Sequence, residues 1–166
     1  MAPPIMSFGR TSVVGWSPSS TSLSSSNSTS TSTSTSPYLA TGTVSGALDD
    51  SFSSDSLLEL WQPFNSASSS NNHESLEPIA RVNASARFNR IAWGSHGVST
   101  QERPLGIIAG GLENGNVALW DPSIAIHHQG HDPLITRFET HSGPVRGLDF
   151  SSAQANLLAS GATNGE

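Results

Sequence analysis

Three histidines crowd into His127-His128-Gln129-Gly130-His131, with Asp132 beside them, and form the one group in this sequence with the composition of a metal site. Zinc asks for three or four ligands held by a rigid frame and oriented by a second layer of hydrogen bonds. These side chains fall between two apolar runs, in what reads as an exposed connection with one carboxylate nearby. The sequence therefore points to a solvated loop, and no metal is expected. Asp49-Asp50 is a carboxylate pair in a Gly- and Ser-rich link. Neighbours on one chain do not present both groups to one substrate, which argues against acid–base catalysis. Serine is abundant, yet no Gly-x-Ser-x-Gly elbow occurs. Gly106, Gly110, Gly111 and Gly115 are dense enough to suggest a phosphate loop, but no Gly-Lys-Ser/Thr follows and Gly115 leads into an apolar run. They read as turn and close-packing glycines. Trp16, Trp61, Trp93 and Trp120 recur at the ends of apolar runs and read as packing between sheets, since an aromatic cage needs an exposed cluster. No residue is assigned a catalytic role, and no cofactor or small-molecule substrate is expected.

The totals exclude further classes. With a net charge of −6 and seven Lys plus Arg in 166 residues, no basic surface is available for nucleic acid or anionic lipid. The absence of cysteine removes disulfides, thiolate zinc sites and cysteine nucleophiles together. No apolar run approaches the roughly 20 residues that span a bilayer, and MAPPIMSFGR lacks the basic start and apolar core of a secretory signal. The expectation is a soluble cytosolic protein, in which the triplets Asn27-Ser28-Thr29 and Asn83-Ala84-Ser85 stay unglycosylated.

What remains is a set of short strands. The chain is organised around Leu105–Pro122, LGIIAGGLENGNVALWDP. Leu105 to Ala109 is aliphatic, and Val117 to Trp120 is a second apolar run stopped by Asp121-Pro122. Between them stands Asn114-Gly115, the dipeptide that accepts positive φ at both centres of a type I′ turn. Further strands are read at Thr11–Trp16, Tyr38–Gly42, Leu57–Trp61, Phe88–Trp93, Leu134–Phe138, Val145–Phe150 and Leu157–Gly161, with an edge strand at Pro78–Val82 opened by its proline. Between Ser19 and Ser36 sixteen of eighteen residues are Ser or Thr. Such a tract cannot bury apolar surface to offset its ordering entropy, so a disordered loop inserted at the surface is expected.

Three passages repeat one plan. Their first strands carry apolar or β-branched residues at i, i+3 and i+5: Thr11, Val14 and Trp16; Phe88, Ile91 and Trp93; Val145, Leu148 and Phe150. Their second strands end Ala-Thr-Gly at Gly42, Ala-Gly-Gly at Gly111 and Ala-Ser-Gly at Gly161. Two third strands end Leu-Trp-x-Pro, at Trp61 and Trp120. Four short strands per unit with a Trp closing the third describe a propeller blade.

On these residues the chain resembles the WD-repeat family. Trp120-Asp121 matches the dipeptide that names the repeat, and Thr140-His141 stands where Gly-His is usual. His141, Ser160 and Asn164 fall where the family places the His, Ser/Thr and Asp of a buried hydrogen-bond network completed by Trp. Asn164 departs from the usual Asp, and the Trp partner of that network would follow Glu166. The segments LATGTVSGALDDSFSSDSLLELWQPF, RFNRIAWG, GIIAGGLENGNVALWDP and HSGPVRGLDF…NLLASGATNGE together are similar to the N-terminal propeller of the large outer-coat subunit of the COPII vesicle coat. The resemblance implies a scaffold: a seven-bladed ring, a short blade donated to a WD-repeat partner subunit, a helical solenoid and a Pro-rich region. It also implies contacts with other copies at the vertices of the coat cage, indirect membrane attachment through the inner coat, and work in endoplasmic reticulum to Golgi transport.

The expected fold is all-β, an incomplete WD-repeat propeller of about two and a half blades. Blade one spans about residues 10–84 with the loop 19–36, blade two about 86–139, and a partial blade three 141–166. The sequence is read as a fragment of a longer protein, prone to aggregate alone because a sheet edge and an apolar face lack cover. Ile5 to Phe8 is the candidate for the strand that closes the ring. Two rivals stay open: a WD-repeat adaptor of another complex, such as a ligase substrate receptor or chromatin scaffold, and an enzyme with its site at the propeller axis. The small and aliphatic residues at inner-strand positions argue against the second.

Overall fold

Among the described residues ten short strands form where the sequence alternates or runs aliphatic between turn signals. The structure is a computed structural model and describes residues 11–18, 37–44, 55–63, 77–128 and 130–166. Strands β1 (Ser12–Trp16), β2 (Leu39–Thr43), β3 (Leu57–Trp61) and β4 (Ala80–Asn83) make a four-stranded sheet in chain order. Strands β5 (Phe88–Gly94), β6 (Ile107–Leu112), β7 (Val117–Trp120) and β8 (Leu134–Phe138) repeat it. Strands β9 (Val145–Phe150) and β10 (Leu158–Ala162) form a two-stranded third sheet. All neighbours within the sheets are antiparallel. Strand β5 packs against β1 and β2, and β9 packs against β5 and β6, so the sheets stack face to face in chain order. This is the arrangement of propeller blades, and the fold is an incomplete β-propeller.

The core lies between the sheets. Ala40, Leu58 and Leu60 of the first sheet meet Phe88, Ile91, Ile108, Leu112 and Trp120 of the second. Phe88 and Trp120 pack as tilted rings with centroids 5.7 Å apart. A smaller core of Ala92, Ala109, Val117, Val145 and Leu148 joins the second sheet to the third. Strand β6, IIAGGL, is buried along its whole length because both of its faces are covered. That explains why it reads as a continuous apolar run and does not alternate.

The i, i+3 spacing of the first strands breaks the strand period of two, and the structure supplies the reason. In β5 the register with β6 shifts between Phe88 and Arg90, so Asn89 is an extra residue. In β9 the register with β10 steps from Val145 to Gly147, so Arg146 is extra. Each bulge turns residues three apart onto one face. Phe88 and Ile91 are both buried, and so are Val145 and Leu148. Strand β1 pairs with β2 without a shift.

Several expectations need correction. The first strand of the central hairpin is Ile107–Leu112, not Leu105–Ala109. Gly106, at φ 75°, donates its N–H to Arg103 O and closes the preceding turn, so pairing starts after it. The turn is not type I′. Among the described residues Gln101 is the only non-glycine with positive φ, so Asn114 stays on the negative side while Gly115 takes φ 87°. Leu112 N–H donates to Asn116 O at 2.9 Å and Gly115 N–H to Leu112 O at 3.3 Å. These bonds define a three-residue loop, a tight turn followed by a left-handed glycine. Asn114 Oδ1 accepts from Asn116 N–H at 3.2 Å, a local bond that a short amide side chain makes in place of adopting positive φ. Pro78 stands before the edge strand, which runs Ala80–Asn83.

The histidine-rich connection is not all loop. Helix α1 (Pro122–His127) occupies its first half and packs against β4. The Asp-Pro pair read only as a stop is also a helix start, with Asp121 as N-cap and Pro122 in the first turn. The expected loop 19–36, the closing strand Ile5–Phe8 and the pair Asp49-Asp50 lie outside the described residues, as do Asn27 and Gln129.

Candidate functional site

Three glycines singled out by the sequence, Gly42, Gly111 and Gly115, sit at the seams between sheets. A seam works only if a strand of one sheet can approach the next, and glycine permits that. A Cβ on Gly42 would lie 2.6 Å from the Phe88 ring, so the ring of the second sheet rests directly on the backbone of the first. Val145 sits on Gly111 in the same way, 2.8 Å from where a Cβ would be. Gly115 is tighter than either of these: its missing Cβ would fall 2.2 Å from His141 O. The β6–β7 turn is thus pressed onto the chain segment that leads into the third sheet.

That segment carries a polar cluster. His141 Nε2 lies 2.8 Å from Ser160 Oγ, across from the turn into β9. Asn164 does not complete this pair; its Nδ2 donates to Ser142 Oγ at 2.6 Å. Glu166 accepts from Ser142 N–H at 2.8 Å and from Ser142 Oγ at 2.9 Å. These bonds, the backbone one foremost, hold the Glu166 carboxyl below its ordinary range. His141 Nδ1 is buried without a hydrogen bond and lies 3.8 Å from Glu166 Oε2. The sequence reading missed Ser142 and Glu166; the Asn-Gly turn that brings residue 166 back beside residue 142 was the available signal.

The corresponding residues differ in the other sheets. Counting back from Phe88 as from Val145, Ala84 stands in place of His141, and Gly110, paired with Ile91 as Ser160 is paired with Leu148, stands in place of Ser160. A Cβ on Gly110 would lie 2.6 Å from Phe88 and 2.8 Å from Trp120, so aromatic packing replaces the hydrogen bond. In the first sheet Trp61 Nε1 donates to Thr41 Oγ1 at 2.9 Å, and both residues are buried. Beside them Glu59, 2% exposed, takes Arg81 Nε at 3.1 Å across the β3–β4 pair. The Glu59 carboxylate, with Glu77 behind it, holds the Arg81 guanidinium above its usual range. Strand alternation alone gave no sign that Glu59 is buried beneath an exposed Arg81, because Leu57-Leu58-Glu59-Leu60 reads as an ordinary strand with a polar outward residue.

The remaining sequence-selected residues are dispersed. Trp120 is buried in the main core. Trp93 is half-buried and donates its indole N–H to Leu105 O at 2.7 Å. Trp16 does not join the core between the sheets: it is 51% exposed. Gly15 faces Ile91 of the second sheet, so alternation turns Trp16 to the opposite face of β1. Asp121, buried, accepts from Ser123 and Ile124 N–H through Oδ1 and lies 3.7 Å from Arg103 Nε through Oδ2. The second half of the Trp-Asp dipeptide therefore ties the β5–β6 loop to α1.

His127, His128 and His131 are exposed, and the rings of His128 and His131 stand edge to face 6.2 Å apart. Among the described residues no group of three or more His, Cys, Asp or Glu side chains could hold a metal ion. Among the same residues no helix is long and apolar enough to cross a membrane. What the arrangement does chemically is to fasten sheets together and to leave loops on the rim.

No protein-family model matches the chain. Curated relatives do. The chain is 46% identical over 159 residues to "Protein transport protein SEC31" of Mycosarcoma maydis, covering 95% of this chain and 10% of the relative. It is 45% identical over 132 residues to "Protein transport protein SEC31 homolog B" of Arabidopsis thaliana, covering 78% of this chain and 12% of the relative. It therefore spans about a tenth of the length of the curated relatives it matches. Among solved structures, one described as "COPII on membranes, outer coat vertex" superposes with a TM-score of 0.64 at 31% identity, over 95% of this chain and 32% of that one. Agreement of sequence with that fold places these 166 residues in the SEC31 family, within its WD-repeat propeller.

Proposed function

We propose that the protein carrying this chain is a structural subunit of the outer COPII coat, acting in vesicle budding from the endoplasmic reticulum toward the Golgi. One observation carries the reading: the 46% identity to a SEC31 protein extends over 95% of the chain, so it covers all three sheets and not one generic repeat. The likeness to a structure of the outer coat vertex supports it independently, through the fold. In this reading the work is geometric. Rigid sheets, locked by glycine-seated rings, present rim loops to neighbouring subunits, and no covalent chemistry is involved. The partners are other coat subunits: the WD-repeat partner, further copies of the same protein and, through the whole assembly, the inner coat. The place of action is the cytoplasmic face of the endoplasmic reticulum and its vesicles, held there peripherally. The first two sheets are blades one and two of a seven-bladed ring, ending near residues 84 and 139, and the two-stranded third sheet is part of blade three. Trp16, Trp61, Trp93, Trp120, Asp121, His141, Ser160 and Asn164 keep structural roles in it.

A chimera tests the proposal. In the Mycosarcoma maydis relative, these 166 residues replace the matching stretch. The expected result is a soluble protein that supports growth and export of secretory cargo. A chimera that folds, judged by solubility and protease resistance, yet neither supports export nor joins coats assembled on liposomes would overturn it.

A further inference from the structure

We draw no further inference here: the strongest candidate, the apolar groove of about 560 Å³ between the β7–β8 face of the second sheet and the β9–β10 hairpin, where Phe138 and Leu157 are exposed, carries nothing because no observation among the described residues shows what covers it.

Discussion

The second and third sheets run the same local programme with different neighbours. Both begin with a bulged strand that buries residues three apart, Phe88 and Ile91 in one, Val145 and Leu148 in the other. Both make the same hairpin turn: Leu112 N–H to Asn116 O and Gly115 N–H to Leu112 O in one, Ala162 N–H to Glu166 O and Gly165 N–H to Ala162 O in the other. Even the bond from the turn to the first strand recurs, from Glu113 N–H to Arg87 O and from Thr163 N–H to Pro144 O. The surroundings then diverge. Gly115 is pinned beneath His141 O, whereas nothing lies within 4 Å of a Cβ built on Gly165. Strand β6 is buried throughout, whereas β10 is half-buried or exposed along its length. Hydrogen bonding shapes the repeat, and a second covered face makes it a core.

The largest expected break in this comparison is Phe88→Ala. The ring is fully buried between Gly42, Gly110 and Trp120, so its loss should cost about 3–5 kcal/mol. Leu157→Ala, at a residue 50% exposed, should cost less than about 0.5 kcal/mol. Urea midpoints at constant m-value measure both, and equal losses would refute the claim that the buried seam dominates.

The glycine turns sharpen the contrast. An alanine at a left-handed position costs roughly 1–2 kcal/mol wherever it sits. Gly165→Ala should lose about that much, while Gly115→Ala should lose about 1–3 kcal/mol more, because His141 O must move. In a chain extended by a fourth sheet, the gap between the two variants should shrink.

Helix α1, set between β7 and β8 and packed against β4, gives a smaller effect. Asp121→Ala removes the bonds to Ser123 and Ile124 N–H and should cost about 1 kcal/mol of stability. Asp121→Asn, which keeps an acceptor oxygen, should recover most of it.

Acid should act mildly, and on the third sheet. The Glu166 carboxyl titrates below its ordinary value of 4.5 in the folded state, so its contribution is fully present above that value. As pH falls further, through the lower folded value, the contribution is lost and the turn at Ser142 loosens. Amide exchange of Ser142 should rise in that window, and Glu166→Gln should abolish the pH dependence. An unchanged profile in that variant would place the titration elsewhere.

Much of this architecture was legible in the chain. Leu57–Trp61, Val117–Trp120, Leu134–Phe138 and Val145–Phe150 stand where their apolar patterns and turn residues put them, because those signals are local. Helix α1 was hidden since six residues offer no helical period to read, and Asp121-Pro122 is equally a stop for a strand and a cap for a helix. The exposure of Trp16 was hidden too, because alternation says that two faces differ and not which one a neighbour covers.

By itself, then, the sequence determined the repeat: strand order, turn positions, glycines at the close approaches, and a chain without cysteine. Those are properties of short stretches, set by backbone sterics and hydrogen bonding within a few residues. Tertiary structure alone decided that Glu59 is buried against Arg81, that Asn164 turns to Ser142 and away from the His141–Ser160 pair, and that Gly115 lies under His141. Each of those outcomes depends on which residues, distant in the chain, are pressed together when one sheet covers another.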